Sequence, residues 1–463
     1  RDLLPYHRCE EETVPVLDAF FRNVDCNDGW SMTLGGSLPD ASPAYNPVTL
    51  CCLKALCGKR RPNTQLRVRA DMPEEIWEAA FDCFASGCGQ PALFGEENYL
   101  SALHAHFPNI PMEDLCRLGG GGCTETMFAG CSNVGSLDAG LNLLELLDEC
   151  VHTHLPSAKS YEDFLAMFNT SVTRAIEESV LEVNAYQQTK AHYMPQPVRT
   201  LLMDDCIEAG RELNAGGARY NHSVVNVTAL PNVADSLSVI RCAVFEKKLL
   251  TGAELCAALR DNFADESLRL RLLAASPLFG RDQAAADVLS GLMRLIHGEF
   301  SRHTPWRGGR FLPSVIQFVT YGQTGASVGA TPDGRRAGEA AADSLAPQHG
   351  RDLQGPTAVL HAVTSLPLRL FTGTPVVNMR FVKSLFSSDE DRKKLCALLR
   401  SYFALGGMQL QITCVDSAAL RRAQEHPEQY TDLIVRVGGY AEYFTRLDAK
   451  LQEDIIRRAE QTI

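Results

Sequence analysis

Apolar residues recur at every third or fourth position in several long segments of the chain, which is the spacing of one buried face of an α-helix. In the segment Ser136–Leu155, for example, Leu141, Leu144, Leu147 and Val151 share one face. The same spacing predicts further helices at Pro73–Ser86, Tyr161–Thr189, Val233–Lys247, Gly252–Phe263, Asp282–His303, Ser388–Phe403, Asp416–Glu425 and Asp448–Ala459. The pattern therefore predicts a chain rich in helices, with glycines and prolines marking the turns between them.

Length and charge narrow the class of protein. The 463 residues exceed the usual size of one compact domain, although single α/β barrels reach this range. The net charge is −12 and no block of basic residues interrupts the acidity, so we expect no nucleic-acid partner. No apolar stretch reaches the roughly 18 residues that span a bilayer, and the first residues lack a signal pattern. We therefore expect a cytoplasmic protein without a membrane partner.

The chain contains 16 cysteines, and they are scattered along its length. None shows the Cys-x-x-Cys or Cys/His spacing of a zinc or iron–sulfur site. We interpret them as reduced thiols of a cytosolic protein and expect no bound metal or cofactor. The glycine-rich stretch at 204–221 lacks the signatures of phosphate-binding and dinucleotide-binding loops, so no nucleotide site is predicted there.

Two adjacent glycines near the end of the chain stand between apolar and aromatic residues. The stretch at 435–444 reads Val-Arg-Val-Gly-Gly-Tyr-Ala-Glu-Tyr-Phe, with the glycines at Gly438 and Gly439. Glycine reaches backbone conformations closed to other residues and lets another group approach the main chain. On its own, this pattern favours a buried tight turn or bulge.

A cysteine far upstream follows a run of four glycines. Residues 119–126 read Gly-Gly-Gly-Gly-Cys-Thr-Glu-Thr, which places Cys123 after the run. The glycines predict a mobile loop tip that presents the thiol. The ordinary alternative is a flexible connection that carries a buried cysteine, since Cys is among the most buried residue types.

Together the two stretches resemble the paired signatures of the glycyl radical enzymes. The C-terminal motif of that family is Arg-Val-x-Gly-Tyr-x-x-x-Phe, and the stretches at 33–36, 216–221 and 329–339 are also typical of it. The resemblance implies that Gly439 stores an unpaired electron on its Cα, next to two amide groups that delocalise it. It implies that Cys123 passes the radical to substrate as a thiyl, because the weak S–H bond gives up its hydrogen atom readily.

The resemblance also implies an α/β fold, namely a ten-stranded barrel of two antiparallel half-barrels surrounded by helices. Residues 1–320 would form a pyruvate formate-lyase-like barrel domain that includes the cysteine loop 119–126. Residues 321–463 would form a glycine radical domain with the radical loop 435–444. Family members are much longer, so we expect a large N-terminal portion to be absent from this sequence. The two loops are expected to meet inside the barrel, away from water and oxygen.

The residues around the cysteine indicate which radical chemistry to expect. Family members that cleave pyruvate with coenzyme A carry two adjacent cysteines, and Gly122 stands in place of the first, which argues against acyl transfer. Glu125 resembles the Glu of the Gly-Cys-Val-Glu-Pro motif of the dehydratase and carbon–heteroatom lyase branch. There a carboxylate takes or gives a proton as the neighbouring group leaves. Thr124 and Thr126 depart from that motif, so we expect a more polar or differently shaped pocket.

Each of the two candidate catalytic carboxylates, Glu125 and Asp138, also has an ordinary structural interpretation. For Glu125 the alternative is a surface loop residue, which is the usual place of a glutamate. Asp138 sits at nearly the spacing where some dehydratases of the family place a second carboxylate. Its alternative is an acid in the first turn of a helix, where the helix dipole favours negative charge.

The resemblance further implies partners and leaves rival functions open. Activation requires a separate radical S-adenosylmethionine enzyme with a [4Fe–4S] cluster, in an anaerobic setting, and no cofactor beyond the protein-derived glycyl radical. We expect a homodimer acting on a small hydroxylated molecule. The rivals are a pyruvate formate-lyase-like acyltransferase, a radical decarboxylase of an arylacetate, and a fragment without turnover.

Overall fold

A computed structural model describes residues 10–25, 31–317, 320–348, 350–351 and 354–457. They fall into two compact units. The first unit combines the residues up to Thr124 with those from Asn378 onward, and the second comprises Glu125–Val377. The first unit is therefore assembled from segments that lie far apart in the sequence.

Helices and short strands alternate along the described residues. The helices are α1 Glu10–Val24, α2 Pro47–Leu56, α3 Glu74–Ala85, α4 Glu96–His106, α5 Met112–Leu115, α6 Leu143–His154, α7 Tyr161–Tyr193, α8 Pro197–Leu201, α9 Leu230–Val239, α10 Gly252–Arg260, α11 Glu266–Ala275, α12 Gln283–Phe300, α13 Thr320–Ala326, α14 Pro356–Thr364, α15 Asp389–Ala404, α16 Ser417–Glu425 and α17 Ala449–Arg457. The strands are β1 Ser31–Gly35, β2 Asn63–Val68, β3 Ala92–Gly95, β4 Leu118–Gly121, β5 Glu125–Phe128, β6 Gly135–Asn142, β7 Ser223–Thr228, β8 Phe311–Val315, β9 Thr374–Pro375, β10 Asn378–Arg380, β11 Gln409–Thr413, β12 Ile434–Arg436 and β13 Ala441–Tyr443.

Most of the helices predicted from apolar spacing are present, but one prediction is wrong in its first half. The segment predicted to be helical from Ser136 begins as strand β6, and α6 starts only at Leu143. Asn142 ends the strand and caps the helix, because its side chain accepts a hydrogen bond from the Leu144 N–H at 3.2 Å. Parallel pairing with β7 therefore outweighs the helical spacing of the leucines in this segment. Residues 458–459 of the last predicted helix lie outside the described ranges.

The first unit is built on a five-stranded sheet in the order β1-β2-β3-β11-β10. Strands β1, β2 and β3 are parallel, whereas β11 runs antiparallel to β3 and parallel to β10. Leu66, Leu93 and Leu410 face one another across β2, β3 and β11 and have no exposed surface. This aliphatic row forms part of the core on one face of the sheet.

The opposite face of the same sheet is polar and still buried. On β2 it carries Asn63, Gln65 and Arg67, none of them more than 3% exposed. Buried polar groups require hydrogen-bond partners, and here the partners include the backbone of the cysteine segment. Arg67 donates to the Cys116 carbonyl at 2.7 Å, and Gln65 Oε1 accepts from the Gly120 N–H at 3.2 Å. The polar face thus fixes the path of the chain that leads to Cys123.

The second unit contains a four-stranded sheet, β6-β7-β8-β9, in which every strand pair is parallel. Strands β7 and β8 are buried throughout, as expected for a parallel sheet covered on both faces. Helix α12 packs against α7, α9 and β8. The register of β6 against β7 shifts between Gly135 and Ala139, so Asp138 lies at an irregularity of the edge strand.

These elements confirm the predicted α/β class. The closed ten-stranded barrel remains a prediction, as does the division of the chain after residue 320. In the part of the chain that the structure describes, none of the helices combines the length and the apolar character needed to cross a membrane.

Candidate active site

Gly439 lies in the tight turn of a β-hairpin. Strands β12 and β13 pair antiparallel, with Arg436 opposite Ala441, and the Val437 N–H donates to the Tyr440 carbonyl at 3.0 Å. Gly439 is buried and has φ of +88°, a left-handed conformation that L-residues with a side chain rarely adopt. The interpretation as a buried tight turn therefore describes the local geometry correctly.

Cys123 occupies the space beside the Gly439 Cα. A Cβ added to Gly439 would lie 2.5 Å from the Cys123 Cβ, which is closer than real Cβ atoms come to other atoms, and 3.3 Å from the Cys123 Cα. Only a residue without a side chain admits the cysteine at this distance. The structure thus brings together, within the first unit, the two residues that the paired motifs single out.

The glycines before Cys123 allow strand β4 to lie close to the sheet. Gly119 and Gly120 lie in strand β4 and are buried, so the predicted mobile loop tip is wrong for this part of the run. A Cβ on Gly119 would meet Thr33 Oγ1 at 2.7 Å, and one on Gly120 would meet the amide carbon of Gln65 at 2.9 Å. A larger residue at either position would displace these side chains or push β4 away from the polar face of the sheet.

Both amide groups of Gly439 are held by buried side chains. The Gly439 N–H donates to Gln411 Oε1 at 2.9 Å, and Arg436 Nη2 donates to the Gly439 carbonyl at 2.8 Å. Arg436 Nε also donates to Gln411 Oε1 at 2.5 Å, which ties the two side chains together. Arg436 has no exposed surface, and burial lowers the pKa of its guanidinium to about 9, so it remains charged at neutral pH.

Asn63 of β2 contacts both loops through one side-chain amide. Its Nδ2 donates to the carbonyls of Gly439 at 2.8 Å, Gly122 at 3.0 Å and Cys123 at 3.1 Å. Its Oδ1 accepts from Arg436 Nη1 at 2.9 Å. Sequence reasoning missed this residue. The available signal was the recurrence of polar side chains at every second position of the strand, Asn63, Gln65 and Arg67.

The second unit holds Glu125, the first residue of β5. Glu125 is 2% exposed, so its interpretation as a surface loop carboxylate is wrong. The Ser136 hydroxyl donates a hydrogen bond to Glu125 Oε1. A buried carboxylate oriented by a hydroxyl group can accept or return a proton in a defined direction.

His222 fixes the backbone directly after Glu125. Its Nε2 lies 2.8 Å from the Thr126 carbonyl, and because a carbonyl only accepts, Nε2 carries the proton. Complete burial lowers the pKa of His222 to about 4, so the ring is neutral at pH 7. The Thr126 N–H also donates to the Gly373 carbonyl at 3.4 Å, a bond that the proline of the common motif could not form.

Asp138 is engaged in a buried polar network of the second unit. Its Oδ2 accepts from Gln187 Nε2 at 2.7 Å, Ser223 Oγ at 2.9 Å and Arg307 Nη2 at 3.3 Å. The alternative of a first-turn helix acid is wrong, because Asp138 lies in β6. The network joins β6 to α7 and β7 around a carboxylate paired with a buried cation.

Cys123 differs from the other cysteines in the residue beside it. No disulfide joins the cysteines that the structure describes, and the thiols of Cys57 and Cys83 are 3.7 Å apart. Over the same described ranges, no group of three or more His, Cys, Asp or Glu side chains is placed to hold a metal ion. Cys123 alone in this set abuts the Cα of Gly439.

Two family models match the chain. The model described as "Pyruvate formate lyase-like" matches residues 18–325, and the model described as "Glycine radical" matches residues 341–445. Together they include residues 119–126 around Cys123 and the hairpin that carries Gly439.

Characterised relatives share low identity with the chain over nearly its whole length. The trans-4-hydroxy-L-proline dehydratase of Clostridioides difficile is 28% identical over 93% of this chain and 57% of that protein. The (2S)-3-sulfopropanediol dehydratase of Klebsiella oxytoca is 29% identical over 93% of this chain and 55% of its own length. The glycerol-bound B12-independent glycerol dehydratase from Clostridium butyricum superposes with a TM-score of 0.93 at 26% identity, covering 99% of this chain and 62% of that one. The chain thus spans little more than half the length of these curated relatives.

Proposed function

Because the chain belongs to the glycyl radical enzyme family, we propose that it catalyses a thiyl-initiated elimination from a small hydroxylated molecule. The observation that carries the proposal is the contact between Gly439 and Cys123, where a Cβ on the glycine would lie 2.5 Å from the cysteine Cβ. Hydrogen-atom transfer needs reacting atoms at near-attack separations of roughly 3–3.5 Å. The side-by-side placement of the two residues supports transfer between them.

In the proposed cycle Gly439 stores the radical and Cys123 delivers it. The Gly439 Cα radical takes the hydrogen atom of the Cys123 thiol, which leaves a thiyl radical on Sγ. The thiyl radical then removes a hydrogen atom from a substrate carbon that bears a hydroxyl group, and the S–H bond is restored. After the elimination, Cys123 returns that hydrogen atom to the product radical, and Gly439 in turn restores the thiol.

Glu125 is the proposed acid/base of the elimination. It follows Cys123 by two residues, which limits the separation of their Cα atoms to about 7 Å. The substrate radical gives its hydroxyl proton to the Glu125 carboxylate while the neighbouring group departs with its bonding electrons, leaving a carbonyl beside a carbon radical. Where the departing group is hydroxide, the same proton leaves with it as water. Asp138 stays in the proposal as the second carboxylate, oriented by Gln187 and Ser223.

The relatives support the substrate class. Those named above act on hydroxyproline, sulfopropanediol and glycerol, and each of these molecules carries a hydroxyl group. We propose that a radical S-adenosylmethionine enzyme installs the Gly439 radical and that the protein works as a homodimer in the anaerobic cytoplasm. An acyltransferase is less well supported, because Gly122 occupies the place of the second thiol that acyl transfer needs.

The decisive variant is Glu125→Gln, which keeps the shape of the side chain and its contact with Ser136 but removes the proton acceptor. After anaerobic activation, we expect the glycyl radical to form as in the wild type. Turnover of small diols, amino alcohols or hydroxy acids to an aldehyde or ketone should fall by about 10² to 10⁴. Electron paramagnetic resonance and product analysis on the same samples measure the two effects.

Glu299→Gln is the matched control, since Glu299 is a glutamate of the same unit that is 9% exposed and pairs with Arg302. It should retain turnover. Gly439→Ala should show no radical doublet, whereas Cys123→Ser should keep the doublet and lose turnover. Unchanged turnover in Glu125→Gln would overturn the elimination. Acetyl-coenzyme A formed from pyruvate would assign the protein to the acyltransferases, and carbon dioxide released from an arylacetate would assign it to the decarboxylases.

A further inference from the structure

The carbonyl groups of the two radical-bearing loops converge on one side chain. Gly439 and Cys123 belong to loops more than 300 positions apart, yet their carbonyls both accept from Asn63 Nδ2, at 2.8 and 3.1 Å. Asn63 is 3% exposed and sits on β2, a strand buried along its whole length. A rigid strand therefore holds both loops through a single amide group.

The orientation of that amide is determined by its neighbours. Asn63 Oδ1 accepts from Arg436 Nη1 at 2.9 Å, so the Nδ2 hydrogens must face the loop carbonyls. Arg436 itself is fixed by its bonds to Gln411 Oε1 and to the Gly439 carbonyl. The amide cannot turn over without breaking a charge-assisted bond between buried groups, where such bonds are strong.

We propose that Asn63 is a positioning residue for radical transfer, which sets the distance between the Cys123 thiol and the Gly439 Cα by clamping both loops. This inference rests on the proposed radical function of the two residues. Asn63 hydrogen-bonds to backbone carbonyls and to Arg436, so it acts through the backbone of its neighbours. Hydrogen-atom transfer falls steeply when the reacting atoms move apart, because the barrier depends on a near-attack geometry. Loss of the clamp should therefore slow transfer more than it reduces the amount of radical.

The transfer itself can be followed with deuterium. In D₂O the Cys123 thiol becomes S–D. The Gly439 radical takes this deuterium from the thiol. When Gly439 then returns its original α-hydrogen to the thiyl radical, the glycyl radical that forms again carries deuterium from the solvent. The doublet that the α-hydrogen causes in electron paramagnetic resonance then collapses toward a single line. The rate of collapse reports transfer between the two residues, and the total signal reports the amount of radical.

The test compares Asn63→Ala and Asn63→Asp with the wild type after anaerobic activation and dilution into D₂O. Asn63→Asp keeps an oxygen that can accept from Arg436 but has no hydrogens for the loop carbonyls, so it separates loss of the clamp from loss of packing. At equal radical content, we expect both variants to exchange at least about tenfold more slowly than the wild type. A tenfold change corresponds to ~1.4 kcal/mol in the barrier.

Asn98→Ala is the matched control in the same unit. Asn98 is 8% exposed and its Nδ2 also donates to two backbone carbonyls, those of Phe403 and Gly407, both at 2.8 Å. Its loss should lower thermal stability to an extent similar to the loss of Asn63 and leave the exchange rate at the wild-type value. This variant measures how the loss of a purely structural asparagine with the same kind of hydrogen bonds affects the exchange rate.

The outcomes distinguish failure of the positioning role of Asn63 from failure of the proposed radical function. Absence of a doublet in the activated wild type, or survival of the doublet in Gly439→Ala, would remove the proposed function. If the wild type exchanges and both Asn63 variants exchange at the same rate, the proposed function stands and the positioning role is wrong. Equal slowing in Asn98→Ala would likewise overturn the positioning role, because the effect would then follow stability alone.

Discussion

At the scale of single residues, protonation of His222, which bonds to the strand that carries Glu125, affects the stability of the protein. Burial lowers the pKa of its ring to about 4 from the ordinary 6.5, and the neutral ring donates to the Thr126 carbonyl. Above pH 6.5 the ring is neutral in both the folded and the unfolded chain. Below it, the unfolded chain gains a proton that the folded chain does not, so the unfolding free energy falls as the pH is lowered.

We expect this histidine to cost stability between about pH 6.5 and pH 4, by about 1.4 kcal/mol for each pH unit. His222→Gln retains an amide donor for the Thr126 carbonyl and has no proton to gain. Its unfolding free energy, measured by urea denaturation at a series of pH values, should therefore fall less steeply over this range than that of the wild type. His426→Gln removes an exposed histidine as the control and should keep the wild-type slope. Parallel pH profiles for the wild type and His222→Gln would contradict the assignment.

Single residues also show which parts of the site could be predicted from the sequence and which could not. Cys123 and Gly439 stand in motifs whose residue types follow from their chemistry, so their pairing could be predicted. The contact of Asn63 with Gly439 joins positions 376 apart, and the polar alternation along β2 does not indicate which loop the side chain meets. Whether an asparagine on a buried strand faces a loop carbonyl depends on the register of the sheet and on the bond to Arg436.

At the scale of elements, the irregularity in β6 determines the surroundings of Asp138. Leu137 has φ of +50° and the register shifts next to it, which places Asp138 against the buried Arg307. Apolar spacing predicted a helix from Ser136 because Leu141 continues the leucine pattern. Pairing with β7 is not visible in a local pattern, so the start of the helix could not be placed correctly from the sequence.

Asp138→Asn should destabilise the protein strongly. The asparagine keeps the shape of the side chain but leaves the Arg307 charge, whose side chain is 4% exposed, without its partner. Breaking a buried pair in this way costs about 3–5 kcal/mol of unfolding free energy, which chemical denaturation can measure. The double variant Asp138→Asn/Arg307→Met removes both charges and should recover most of that loss.

The double variant also tests the role of Asp138 in turnover. If Asp138 only holds β6 in place, activity should return together with stability. If it is the second carboxylate of the elimination, the double variant should remain inactive at temperatures where it is fully folded. Recovery of turnover would remove Asp138 from the proposed catalytic set.

At the scale of the whole molecule, the two units differ in how their sheets are assembled. The sheet of the second unit uses strands from one continuous stretch, Glu125–Val377. In the first unit β11 pairs with β3, which lies more than 300 residues earlier in the chain. Helix and strand patterns reveal nothing about such long-range pairing, which is why the sequence alone could not divide the chain into these units.

We expect residues 378–463 not to fold as an isolated fragment. Without β3, the edge of β11 and the apolar face of Leu410 would have no partner in the sheet. Far-ultraviolet circular dichroism and urea denaturation should show no cooperative transition for this fragment, and a transition should appear when residues 1–124 are added. The fragment 125–377 is the comparison and should unfold cooperatively alone. Cooperative unfolding of 378–463 by itself would show that the long-range pairing is not required.

The close contact of Gly439 with Cys123 also gives handedness to a residue that has no stereocentre. The Cβ of an L-residue would occupy the position of the pro-S hydrogen, and that position is the one that faces Cys123 at 2.5 Å from its Cβ. The two hydrogens of Gly439 are therefore unequal in the folded protein. A single deuterium at this carbon would therefore occupy one of two distinguishable positions, so glycine recovered from this residue with one deuterium would be chiral by its label.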